Sequence, residues 1–507
     1  VTERLAETSP DTASNAVVED AAVRAHQPAH GASNTRVIWL LLAATFVVFL
    51  NETIMGVAVP HLVDDLGITV TAAQWLTTAF MLTMAVVIPI TGFLIQRFPT
   101  KPLFVTAMTL FSAGTLLAAL APGFEVLLTA RVVQASGTAI MMPLLMTTLM
   151  TVVAPSDRGR FMGRVSIVMS VAPAVGPTIS GLVLETLSWR YLFWIVLPIA
   201  LVMLVIGARK VETVNEPRKL RIDLLSVVLS AFGFGGLVYG LSLLGGESGG
   251  DSGGATPAWA VWVAVGVGVV GIACFVGRQL LLQREDRALL DLRTFTSRNF
   301  TISIGMMVVL MATLFGTLIV LPFYLQRVLL LDPLATGLLL LPGGLVMGLL
   351  GPTVGRLFDR FGPTPLLVPA SIVLSGVLWW LTTVGETTSV WFVLAAHVVM
   401  SIALAFMFTP LFTSALGSVE PRFYSHGSAI LGTLQQVAGA VGTALFISVL
   451  AVREAAASTA GAGEIAAQAA GIRGAFLVGA ILSIGAIVGA LFVRKPADMA
   501  EGAPIGH

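Results

Sequence analysis

Residues 37–62 read VIWLLLAATFVVFLNETIMGVAVPHL. Fourteen nearly unbroken apolar residues run from Val37 to Leu50. Asn51, Glu52 and Thr53 interrupt them, and the apolar run resumes to Pro60. A span across a bilayer takes roughly 20 residues, so the stretch predicts a transmembrane helix. At ~1.5 Å per residue Glu52 lies ~22 Å from Val37, inside the hydrocarbon zone. A carboxyl at that depth must face protein or water, or carry a proton. It is either a functional proton-binding group or a protonated, hydrogen-bonded Glu that tightens helix packing.

The rest of the chain extends this pattern. Of 507 residues, 56% are hydrophobic and 11% charged, with mean hydropathy +0.93. Soluble domains carry about 25% charged residues, so the composition is that of a polytopic membrane protein. Apolar spans recur at 37–60, 73–96, 102–122, 125–153, 162–185, 189–208, 224–244 and 258–281. They continue at 300–325, 334–358, 364–384, 389–413, 427–451 and 473–493. The fold class is therefore all-α, with fourteen transmembrane helices and both termini on one side. With the N-terminus inside, 23 of the 28 basic residues fall on the cytoplasmic side. Arg190, Arg327, Arg453 and Arg473 fall outside, and Arg131 lies within a span. Basic residues concentrate in cytoplasmic loops, which sets the expected orientation.

Two connections divide the spans. Residues 209–223 (RKVETVNEPRKLRID) form the most basic run and close the first six; 245–257 (GGESGGDSGGATP) reads as a flexible outer loop. The expected organisation is a disordered cytoplasmic tail (1–36), a six-helix bundle (37–210), and a central linker with two extra spans (211–299). A second six-helix bundle (300–496) and a short cytoplasmic tail (497–507) follow. A repeat supports the division. Gly92-Phe-Leu-Ile-Gln96-Arg97-Phe98-Pro99 ends span two, and Gly355-Arg-Leu-Phe-Asp359-Arg360-Phe361-Gly362 ends span ten, the second of the last six. Repeated halves with a substrate path between them are a common transporter plan. The central pair carries no motif and is expected to stand outside the moving machinery.

Several function classes fall away. The single cysteine, Cys274, leaves no internal disulfide and no Cys-based metal site. A net charge of +1 points away from nucleic acid. No polar catalytic cluster, sizeable loop domain or phosphate-cradling Gly-Lys-Ser/Thr is present, so neither a membrane enzyme nor ATP drive is expected, and no cofactor or metal.

The motifs resemble those of the major facilitator superfamily, in particular its fourteen-helix drug:proton antiporter family. Leu50-Asn51-Glu52-Thr53-Ile54 and Val57-Ala58-Val59-Pro60 are similar to that family's first-helix motif, with Asn51 where Asp is usual. The two Gly-Arg segments resemble the superfamily's loop motif, the first with Gln96 in place of the acid and Pro99 in place of the glycine. Arg131-Val-Val-Gln134-Ala-Ser-Gly137 resembles the fourth-helix motif, where Arg is linked to proton coupling. Ala172-Pro173-Ala-Val-Gly176-Pro177-Thr-Ile-Ser-Gly181 resembles the fifth-helix antiporter motif. Phe93–Phe98, Leu341-Pro342-Gly343-Gly344, His426-Gly427 and Gln435-Gln436-Val437-Ala438-Gly439 bring the chain close to the lincomycin-resistance (LmrB-like) exporters.

The resemblance implies alternating access in a bacterial cytoplasmic membrane, as a monomer in the lipid bilayer. It implies small amphipathic substrates (drugs or antibiotics) exchanged for protons; export or flipping of an endogenous lipid or secondary metabolite on the same fold is the alternative. Expected proton-coupling residues are Glu52, Arg131 and His397. A lone intramembrane His such as His397 is more often a satisfied polar residue than a proton carrier. Expected cavity residues are Asn51, Thr53, Gln134, Met141, Met142, Tyr324, Gln326 and Gln435. Expected gating residues are Gly92, Arg97, Gly176, Pro177, Gly355, Asp359, Arg360 and His426.

Overall fold

A computed structural model describes residues 30–218, 221–246 and 258–496. The expected tail up to residue 29, the tail from 497, and all but the first two residues of the Gly-rich loop lie outside the described residues. Every regular element among those described is helical, and fourteen helices are long and apolar enough to cross a membrane. The first half holds α1 (His30–Leu66), α2 (Val70–Arg97), α3 (Thr100–Ala119), α4 (Phe124–Val152), α5 (Arg158–Thr186) and α6 (Arg190–Lys210). The central pair is α7 and α8. α7 runs as Leu224–Ser230, a π turn at Ala231–Gly235, and Gly236–Gly246; α8 is Ala258–Leu282. The second half holds α9 (Arg298–Phe323, extended by a π turn at Tyr324–Val328), α10 (Pro333–Phe361), α11 (Thr364–Leu381), α12 (Val390–Gly417), α13 (Tyr424–Thr459) and α14 (Glu464–Ala490). α1 starts inside the segment expected to be a polar tail.

Helix ends follow local chemistry. Thr69, Asp223, Ser297 and Asp332 cap α2, α7, α9 and α10, each side chain accepting a hydrogen bond from a first-turn N–H. The two repeat copies stop in different ways. Gly362 takes φ +80° and ends α10, a conformation that costs only glycine little. Pro99 stands at the corresponding place and leads directly into α3. Asn215 then straps that corner: its side-chain amide donates to the Ile95 and Phe98 carbonyls, and its oxygen accepts from Thr100 N at 2.7 Å.

In the first half, α1 packs on α5 and α4, and α3 on α4 and α6; in the second, α9 packs on α13 and α14, and α10 and α11 on α12. The halves meet along α5–α10 and α2–α13. We call the end where α2 and α10 finish the basic end. There the α5–α10 seam is backbone on backbone. A Cβ on Gly355 would collide with the Gly159 carbonyl oxygen, and one on Gly351 with that of Gly163. Towards the other end the seam relaxes: a Cβ on Gly181 or Gly337 would touch nothing within 4 Å.

The central pair does not stand apart. α7 packs on both α2 and α13, one helix from each half. Trp75 of α2 and Tyr239 of α7 stack at 5.5 Å between centroids. Asp223 joins the pair at its basic end: its carboxylate accepts from Arg278 of α8 at 3.0 and 3.1 Å. That hydrogen-bonded guanidinium, with the Ser226 donors, holds the carboxyl down at about 2.

The glycine seam makes a direct prediction. Gly355→Ala favours helix but overpacks the closed seam, at a cost of about 1–3 kcal/mol. The protein should remain folded while spin labels on α5 and α10 at the basic end report a wider distance distribution. An unchanged distribution refutes the assignment of Gly355 to closure.

Candidate transport site and gate

The polar interior of the first half is built around Arg131 on α4. It is among the largest fully buried side chains. Its Nη1 donates to Gln134 Oε1 at 2.7 Å and, more weakly, to Asn51 Oδ1 at 3.4 Å. Nε reaches the Leu76 carbonyl at 3.5 Å, and the guanidinium sits 4.1 Å over the Phe80 ring. Gln134 lies three residues on, on the same face, and donates to Thr115 Oγ1 of α3 at 2.8 Å. One charge thus ties α1, α2, α3 and α4 together.

All these hydrogen-bond partners are neutral. Glu52 neighbours Asn51 and interacts with Arg131 through space, but no direct hydrogen bond joins them among the described residues. Glu52 is half-buried while Asn51 is buried, as the ~100° turn between adjacent helical residues requires. An isolated buried guanidinium is costly. Asn51 and the aromatic face offset part of that cost, and Glu52 is the acid in electrostatic reach. The pair has the chemistry to bind and release a proton without unfolding its surroundings.

The other expected cavity residues divide. Thr53 is a packing residue: its Oγ1 donates to the Ala172 carbonyl of α5 at 3.2 Å, and Gly176 presses directly against it. Gln134 and Met141 are fully buried between helices, whereas Met142 is half-buried. Gln435 is half-buried, with Met311 Sδ at 3.9 Å. Tyr324 and Gln326 lie in the π turn at the end of α9 remote from the basic end. Tyr324 donates to the Gly385 carbonyl at 2.7 Å, and Gln326 is exposed. His397 is in the second half, its Nε2 3.1 Å from the Leu340 carbonyl and its Nδ1 buried without a partner. The structure therefore puts Asn51, the residue before Glu52, against Arg131 and sets His397 on α12, against α10.

Of the expected gating residues, Gly92, Arg97, Gly355, Asp359, Arg360 and His426 lie at the basic end, around two contacts between the halves, the latches, whereas Gly176 and Pro177 lie further along α5. Asp359, in the last turn of α10, accepts from the backbone N–H of Gly159 and of Arg160, each at 2.8 Å. These are the second and third residues of α5, whose first-turn N–H groups have no partner within the helix. A carboxylate there is favoured by charge-assisted hydrogen bonding and by the helix dipole. Gln96, in the last turn of α2, meets the second and third residues of α13, but through their side chains. Its Nε2 donates to Ser425 Oγ at 2.9 Å and lies 2.8 Å from His426 Nε2. Gly92 makes room for this contact, facing Ala429, Ser425 and His426. Arg97 stacks on Phe98 and Arg360 on Phe361, so the motif arginines flank the latches without joining them. Pro177 is exposed within α5.

Sequence reasoning missed the bonds that complete the closure. Arg158 and Tyr424, the first residues of α5 and α13, join each other through Nη2 and the phenol at 3.1 Å. Thr147 bonds Ser428 at 3.0 Å, and Ser166 bonds Thr409 at 2.7 Å. Hydroxyls inside spans ordinarily bond their own helix, so nothing in the sequence marks these pairs as cross-half contacts. Tyr424 beside the singled-out His426 was the one available pointer.

Two six-helix halves, closed against each other at one end around a buried polar interior, define a secondary transporter rather than an enzyme. The chain belongs to the Major Facilitator Superfamily, whose family model matches residues 41–443. It is 38% identical over 468 residues to the uncharacterized MFS-type transporter YcnB of Bacillus subtilis, covering 92% of this chain and 97% of that protein. It is 38% identical to the lincomycin resistance protein LmrB of Bacillus subtilis (90% and 95% covered) and 39% to that of Listeria monocytogenes (92% and 99%). Among solved structures, the human organic anion transporter MFSD10 (TETRAN) superposes with a TM-score of 0.60 at 15% identity, covering 89% of this chain and 99% of that one. That likeness shows the fold.

Two predictions test the geometry. Gln134→Ala strips a hydrogen bond from a buried charge, which is worth about 1.5–3 kcal/mol; thermal unfolding should show a loss of that order, and an unchanged melting temperature refutes the network. For the latches, a cysteine reporter at the basic end, in a Cys274→Ser background, should alkylate faster in Asp359→Asn than in Gln96→Ala. The carboxylate makes two charge-assisted bonds and the amide makes neutral ones. Equal rates contradict the difference.

Proposed function

We propose that this transporter is a proton-coupled antiporter that exports amphipathic drugs or antibiotics, lincomycin among them, across a bacterial cytoplasmic membrane. It works as a monomer, with both termini and the basic end in the cytoplasm. The observation that carries this reading is Glu52 beside a buried Arg131 whose hydrogen-bond partners are all neutral. The similarity to proteins named for lincomycin resistance supports the substrate class, and the concentration of basic residues at one end supports the orientation.

Glu52 takes a proton while the interior is open outward and releases it to the cytoplasm. Arg131 favours the deprotonated state, and the cationic or amphipathic substrate competes with the proton for the same carboxylate. Met142 and Gln435 offer it a soft, adaptable surface. The basic-end latches close the cytoplasmic exit in the conformation described, and their release gives the inward-open state. His397, with its orphaned Nδ1, is a second titratable group of the other half.

The test uses everted vesicles, lincomycin or a fluorescent dye as substrate, and an imposed pH gradient. Glu52→Gln keeps size and hydrogen bonding but cannot titrate. It should abolish uphill transport while retaining downhill exchange. Uphill transport equal to the parent's moves proton coupling away from Glu52.

A further inference from the structure

Arg160 and Arg164 stand one turn apart on α5, and Pro352 and Arg356 one turn apart on α10. Together they line a cavity of about 220 Å³ across the seam between the halves. None of the three guanidiniums forms an ion pair among the described residues. Arg356 makes one long contact, to Thr353 Oγ1 at 3.4 Å. Arg164 lies over the Phe161 and Trp39 rings, at 4.5 and 5.0 Å, and is repelled by Arg160. The neighbouring acid, Asp359, has both oxygens committed to backbone N–H groups of α5. Closing the seam therefore brings three guanidiniums to one cavity, none of them in an ion pair among the described residues.

We propose that this cavity binds the phosphate of an anionic phospholipid headgroup, which bridges the halves and favours the state closed at the basic end. Arginine forks match phosphate oxygens bidentately, and basic pockets between transmembrane helices take anionic headgroups. The surroundings favour a lipid over a soluble anion. Arg164 lies near one end of an apolar span, and the Trp39 ring beside it is half exposed; tryptophan at a span end marks the headgroup level. Two arginines come from one half and one from the other, so separating the halves dismantles the site. A ligand with such unequal affinity for two states shifts the balance between them. The site is independent of which substrate is carried and of whether protons drive it.

The full chain in phosphatidylcholine nanodiscs, titrated with phosphatidylglycerol, tests this by native mass spectrometry and by spin-label distances across the α5–α10 basic end. Phosphatidylglycerol should be retained in preference to phosphatidylcholine. Each Arg→Gln change at 160, 164 and 356 should weaken retention about fivefold. The same lipid should raise the closed population in the parent but not in the triple variant. Undiminished retention by the triple variant overturns the site. Equal retention of phosphatidylcholine, or equal protection by inorganic phosphate, overturns the anionic-lipid assignment. Should the triple glutamine variant not fold, the triple lysine variant keeps the charge and loses the fork; retention as strong as the parent's then overturns the proposal.

Discussion

The closed conformation rests on how near two backbones can come. Along α5 and α10, Gly159 faces Gly355 and Gly163 faces Gly351 at backbone distance. Lipid tails are as apolar as leucine, so burying apolar surface does little to drive helices together within a bilayer. Close van der Waals contact between small residues does the work instead. The same closeness brings Asp359 to the two N–H groups it accepts from, and Ser166 to Thr409. A methyl group at Gly355 would therefore strain the neighbouring Asp359 bonds to Gly159 and Arg160. The latches are thus consequences of the seam as much as causes of it.

Arg131 plays a corresponding part inside the first half. Its cost is spread over two amides, a carbonyl and an aromatic face on α1, α2 and α4, which ties those helices to one another. Among the described residues the Glu52 carboxylate is not a hydrogen-bond partner of Arg131, so the proposed coupling would change its protonation without breaking a bond of this network. A full ion pair would have locked both groups. Asn51, where the resembling family carries an acid, is what keeps the arrangement loose.

Much of this was legible in the sequence. Span lengths gave fourteen helices, because a bilayer accepts few alternatives to an apolar helix. The paired Gly-Arg segments fall where the halves meet at the basic end, and Asp359 of the second accepts from Gly159 and Arg160 there. The isolated Glu52 and Arg131 stood out because charge is rare at that depth. What remained hidden depends on facing. Gln134, Thr53 and Met141 sit on the right helices but turn into packing contacts, and no single-sequence pattern distinguishes a cavity wall from a helix interface when both are apolar. Tyr324 and Gln326 close α9, a full helix length from the basic end, and no pattern in the sequence marks which way they face. The cross-half hydroxyl pairs needed two helices distant in sequence to be laid side by side.

The position of α7 makes the molecule unequal on its two flanks. Because it lies against α2 and α13, one of the two lines along which the halves separate is roofed by protein. The other, between α5 and α10, faces the surrounding bilayer without such a cover. In the proposed alternating-access cycle, a solute dissolved in the membrane would meet protein along one of these lines and a less covered seam along the other. A fourteen-helix chain of this plan therefore has a handed approach route for anything that arrives through lipid.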